Sequence, residues 1–121
     1  MRSLHLPLVG ALLVVTATCS EDYGSGSGGG CTPTATQVCM TGSAFNPTTR
    51  TVTPGTTVTW RNGGGVTHTV TSSPGSAETF NQSVGGGATF ARAFPTAGTF
   101  NYHCTIHGTP TTGMRGTIVV N

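Results

Sequence analysis

Between Cys31 and Asn121 no segment repeats its apolar residues at the three-to-four spacing of an amphipathic helix; short threonine- and valine-rich runs alternate with glycine clusters instead. Glycine destabilises helices and threonine suits a half-buried strand, so this alternation argues against a helical bundle and predicts an all-β chain. The runs that qualify as strands are residues 36–40, 50–53, 56–61, 68–72, 88–94, 98–103 and 115–120. Pro54-Gly55, Asn62-Gly63-Gly64-Gly65, Gly85-Gly86-Gly87 and Ala97-Gly98 separate them as turns. Strands so spaced are expected to form an antiparallel, Greek-key β-sandwich. Neither glycine triplet opens a helix, so neither reads as a phosphate-cradling loop.

The N-terminus follows a different pattern. Met1-Arg2-Ser3 carries one positive charge ahead of an apolar run from Leu4 to Val15, and that run is shorter than the roughly 20 residues that span a bilayer. Residues 1–18 therefore read as a signal peptide. Thr16-Ala17-Thr18-Cys19 resembles the lipobox of bacterial lipoproteins, although Thr16 and Thr18 stand where an aliphatic residue and Gly or Ala are usual. The resemblance implies lipidation of Cys19; ordinary secretory cleavage near Ala17 is the alternative. Residues 19–30, rich in Gly and Ser, are expected to form a flexible linker reaching about 18 Å. Residues 31–121 then make a single domain, exported to the periplasm or cell envelope and touching a membrane only through its lipid anchor.

Charge narrows the choice of partner. Five arginines, no lysine and three acids give a formal net charge of +2, too weak and scattered to track a phosphate backbone, which argues against nucleic acid. From residue 19 onward Arg50, Arg61, Arg92 and Arg115 face Glu21, Asp22 and Glu78. Electrostatic steering of a partner is expected to be slight.

Strand parity sorts the aromatic side chains. Val58 and Trp60 share one face of their strand, and Phe100, Tyr102 and Cys104 share a face opposite Asn101 and His103. Trp60 and Cys104 are expected inside and His103 outside. The same parity turns Arg92 inward with Phe90 and Phe94, for which the sequence offers no reason.

With Cys19 assigned to a lipid, three cysteines remain in a compartment where thiols pair. Cys31 and Cys39 are near enough in sequence to bridge if the chain turns at Thr32-Pro33, which would pin the linker to the first strand. Cys104 is then solitary, in Cys104-Thr105-Ile106-His107, with Gly113-Met114 after it and His68-Thr69-Val70 upstream. A thiolate, two imidazoles and a thioether are the donors of a blue-copper centre, where a trigonal His₂Cys set with a weak axial Met serves both copper oxidation states with little rearrangement. Structural zinc normally takes four thiolate or imidazole ligands. A Cys-His nucleophile pair would need an orienting third group, and neither Glu78 nor Asn101 stands out as one. A binuclear copper centre would need a second cysteine beside Cys104.

The segment from Pro54 to Asn62 leading to His68-Thr69-Val70, then the segment from Phe94 to His107, and finally the segment from Gly113 to Val120 follow one another as in the cupredoxins, the blue copper proteins of the plastocyanin, pseudoazurin and amicyanin group; residues 31–121 resemble that family. The resemblance implies a cupredoxin-like sandwich holding one type 1 copper ion. It implies His68, Cys104 and His107 as equatorial ligands, Met114 as the axial ligand and the ring edge of His107 as the electron entry. Thr69 and Asn62 are candidates for stiffening the site, and His68 is expected to be held by a hydrogen bond at its other ring nitrogen. Six residues separate His107 from Met114, more than in the commoner members, so the surface around His107 is expected to differ. Met40, the other methionine left after export, reads as packing.

The function implied is one-electron transfer, without catalysis, between exported redox proteins such as a cytochrome or a copper or haem oxidoreductase. Docking is expected on an apolar patch of Ile106, Gly108 and Pro110. The alternative is an extracytoplasmic copper-binding or delivery module, for which the flexible Met or His clusters suited to metal exchange are missing. In copper nitrite reductases and multicopper oxidases a histidine beside the blue-copper cysteine binds a second, catalytic copper. With His68 and His107 committed, His103 alone cannot build such a centre and reads as solvated or surface-packed.

Overall fold

The computed structural model describes residues 30–121. The signal peptide, Cys19 and the linker before Gly30 lie outside the described residues. Those described form β1 (Gln37–Thr41), β2 (Ala44–Asn46), β3 (Thr49–Val52), β4 (Thr56–Asn62), β5 (His68–Ser72), β6 (Asn81–Val84), β7 (Thr89–Phe94), β8 (Gly98–Gly108) and β9 (Gly113–Val120). One sheet has the order β2-β1-β4-β7 and the other β3-β9-β8-β5-β6. Among the described residues no helix is long and apolar enough to cross a membrane.

Alternation along the strands makes the two sheets face each other. Val58, Trp60 and Asn62 of β4 and Met114, Gly116, Ile118 and Val120 of β9 are buried at every second position, the period that places them on one side of a pleated strand. Trp60 sits at the centre, fully buried. Phe90 stacks on it at 5.6 Å and Tyr102 meets it edge-on at 5.4 Å. Phe94 and Phe100 pack edge-to-face at 4.8 Å, as do Phe45 and Tyr102 at 4.7 Å, contacts that add about 0.5–1.5 kcal/mol each beyond area burial. Burial pushes the Tyr102 phenol well above its ordinary range, and the nearby Trp60 indole and Arg50 guanidinium offset only part of that. Met40 belongs to this core.

The sheets are mixed, where the spacing of the strands predicts antiparallel pairing: β1 runs parallel to β4 and β3 parallel to β9. Apolar alternation fixes which face a strand buries but is blind to its neighbour's direction. Two strands also go beyond the expected set. β2 has three residues and β6 is mostly polar; both are sheet edges, where little apolar alternation is needed. β8 continues past His103 to Gly108.

Two side chains take unexpected settings. Arg92 is half-buried because its guanidinium lies 4.8 Å from the Phe80 ring centre and pairs with Glu78. His103 faces away from the core as parity requires, but it is only 8% exposed and its Nδ1 bonds Ser73 Oγ at 2.8 Å. It is packed, not solvated. Cys31 and Cys39 form a disulfide with Cα atoms 5.6 Å apart, tying the start of the described chain to β1.

Candidate metal centre

β8 and β9 pair continuously from Gly98 with Val120 to His103 with Arg115, and again where Gly108 faces Gly113. Between these points residues 104–107 lie opposite Met114 alone. A surplus on one strand forces it to arch away from its partner, and this arch carries both Cys104 and His107. Its closure depends on two glycines. A Cβ on Gly108 would stand 2.5 Å from the Met114 nitrogen, and one on Gly113, whose φ is +75°, would stand 2.7 Å from the His107 carbonyl oxygen. Met114, 1% exposed, is buried across from the arch.

The third donor comes from the neighbouring strand. β5 begins at His68 and pairs with β8 on one side and β6 on the other. The Nδ1 atoms of His68 and His107 are 3.0 Å apart, and Cys104 Sγ lies 3.8 Å from the first and 3.6 Å from the second. His68 and Cys104 are buried, while His107 is half-buried. Burial, and secondarily the His107 ring, lowers the His68 pKa below its ordinary value.

Asn62 fixes the approach to His68. Its fully buried amide donates to the carbonyls of Val66 at 2.7 Å and Val84 at 3.0 Å, and its Oδ1 accepts from the Gly64 N–H at 3.0 Å. The 63–66 loop is thereby clamped to the end of β6. The glycine triplets, read as turns, press together here: a Cβ on Gly86 would lie 2.9 Å from Gly64 O and Gly65 Cα. Among the described residues no hydrogen bond reaches His68 Nε2, so the ring is held by burial and this clamp in place of the bond expected at that atom.

Threonines brace the sulfur. The Thr69 N–H points at Cys104 Sγ at 3.3 Å, and Thr69 Oγ1 accepts from the Thr105 N–H at 2.9 Å. Thr71 Oγ1 donates to Asn81 Oδ1 at 2.8 Å and lies within hydrogen-bond distance of Thr69 Oγ1 at 3.0 Å. Thr69 and Asn62 thus fill the stiffening roles suggested for them. Thr71, Thr105 and Asn81 were not singled out from the sequence; threonine at alternate positions 67, 69 and 71, and again straight after Cys104, was the available signal.

The donors suit copper. A point equidistant from Cys104 Sγ and the two Nδ1 atoms lies about 2 Å from each, close to the bond lengths that imidazole and thiolate make to a zinc-sized ion. The one acidic side chain among the described residues, Glu78, is engaged by Arg92. A thiolate and two imidazoles with a buried thioether opposite are soft donors, the preference of copper over magnesium or calcium.

The sequence profile of the copper binding proteins, plastocyanin/azurin family, matches residues 31–121. Among solved structures, a reduced amicyanin variant is similar at 30% identity and a TM-score of 0.61, covering 70% of this chain and 80% of the other. A second, a Cu(I) amicyanin variant, shows 29% identity and a TM-score of 0.61, covering 75% and 86%. A purple cupredoxin from Nitrosopumilus maritimus shows 27% identity and a TM-score of 0.57, covering 70% of this chain and 98% of its own. No curated protein sequence gives a significant match. The chain belongs to the plastocyanin/azurin family of copper-binding proteins. Its fold is the cupredoxin sandwich, and its donors fit one type 1 copper site.

Proposed function

We propose that this protein carries single electrons between exported redox proteins, with His68, Cys104 and His107 as the equatorial copper ligands and Met114 as the axial one. The observation that carries this reading is the convergence of one sulfur and two Nδ1 atoms, mutually 3.0–3.8 Å apart, on a braced arch. Copper held there supplies a one-electron couple between its two oxidation states. The chain's own work is to keep the donors still: Asn62 holds the His68 loop, Thr69 and Thr105 hold the sulfur, and the Gly108–Gly113 closure holds the arch. Buried His68 and Cys104 exclude water from one side of the centre.

Half-buried His107 is the electron port in this reading. Ile106, 55% exposed, and Val66, 59% exposed, flank the two histidine loops and extend the apolar patch expected from Ile106, Gly108 and Pro110. Partners of the cytochrome or copper or haem oxidoreductase kind would dock there with little charge steering. Residues 1–18 as a signal peptide and a lipid on Cys19 would place the domain in the periplasm or cell envelope.

Stopped-flow reduction by an exported cytochrome tests this reading. The rate is expected to change little with ionic strength, and Ile106→Lys is expected to slow it about tenfold with the copper spectrum unchanged. A steep salt dependence would refute the docking account. Release of copper on reduction would favour the delivery module.

A further inference from the structure

A well-formed pocket lies away from the metal centre. Solvent-open and about 390 Å³ in volume, it lies on the outer face of the five-stranded sheet, and none of His68, Cys104, His107 or Met114 lines it. Its walls include Thr48, Ser73, Asn101, Arg115, Thr117 and Pro110. The volume falls in the range of small-molecule sites, roughly 300–1,000 Å³.

The chemistry of the walls is one-sided. Arg115 brings a permanent positive charge, and among the described residues no acidic side chain neutralises it: Glu78, the one acidic side chain there, is engaged by Arg92. Thr117 Oγ1 donates to Asn101 Oδ1 at 2.9 Å, which occupies the acceptor of that amide and leaves its N–H groups as donors. Ser73 Oγ is fixed by buried His103 at 2.8 Å. The pocket therefore offers a cation, an amide donor and hydroxyls, with no carboxylate.

Its remaining wall is the long loop between His107 and Met114. Thr109 Oγ1 accepts from the N–H groups of Thr111 at 3.3 Å and Thr112 at 3.0 Å, and Thr109 N–H donates to Thr112 O at 2.8 Å. This self-braced turn puts Pro110 on the pocket. The extra loop length thus builds a wall of a cavity that the metal centre does not need.

We propose that the pocket binds a small oxyanion, a carboxylate or inorganic phosphate, on Arg115 with the Asn101 amide and the Thr48 hydroxyl as further donors. Charge-assisted bonds of this kind are the stronger class of hydrogen bond. The site is separate from copper binding and stands whether or not the electron-carrier reading does.

The test is a titration of the purified protein with sodium phosphate and, separately, sodium acetate at constant ionic strength, followed by NMR at the Arg115 Nε–H and the Asn101 side-chain amide. Saturating shifts at these groups with a Kd of about 1 mM or tighter are expected for at least one anion, and the anion that saturates identifies the preferred class. Arg115→Gln should weaken binding about tenfold or more, with its unfolding midpoint unchanged, while Arg61→Gln on the other sheet should leave the titration as it was. Absence of saturation with both anions, or equal weakening by Arg115→Gln and Arg61→Gln, would overturn the proposal.

Discussion

The two histidines of the centre are held in opposite ways. His68 is 1% exposed, starts a strand paired on both sides, and is approached by a loop that Asn62 fastens with three side-chain hydrogen bonds. His107 is half-buried on an arch that ends in a turn braced by its own threonines. One side supplies rigidity through burial; the other supplies access. Exposure of an apolar rim is tolerable at His107 because the geometry of the donors is guaranteed from the His68 side.

The largest break in this contrast should come from Asn62→Ala. It leaves the carbonyls of Val66 and Val84 and the N–H of Gly64 without their partner, a loss of about 2–4 kcal/mol for buried polar groups, read as a lowered urea midpoint and weaker copper retention. Thr109→Ala removes the hub of the exposed turn on the His107 side. Its cost should be about 0.5 kcal/mol or less, with the copper spectrum kept. A comparable loss from both variants would erase the distinction.

The smallest effect is in pH. Folding keeps His68 neutral, because burial lowers its pKa from the ordinary 6.5. The unfolded chain takes up that proton first, so the unfolded state binds more protons below 6.5 and stability falls as pH falls. The full contribution is present above the unfolded value. Urea midpoints of metal-free protein should therefore decline between pH 6.5 and the lowered folded pKa, with a shallower slope in His68→Gln.

Much of this was legible in the chain itself. Period-two burial placed Trp60, Phe100, Tyr102 and Cys104 inside, and the turn glycines fell where strands end. The directions of β1 and β3 relative to their neighbours were not legible, because pairing across a sandwich is decided by tertiary contacts that leave no local pattern. At the site, the residues that converge, His68, Cys104 and His107, could be picked out by residue type and order. The bracing by Thr71 and Asn81 could not, because it links residues of different strands through the register of β5 with β6. Arg92 needed the Phe80 ring and Glu78 before its inward setting made sense.

The most direct measurement is a Cu(II) titration of the protein followed by absorbance. An intense thiolate band is expected that saturates at one equivalent, bleaches on reduction, returns on oxidation and is abolished by Cys104→Ser. A blue band that survives Cys104→Ser, or no intense band at all, would contradict it.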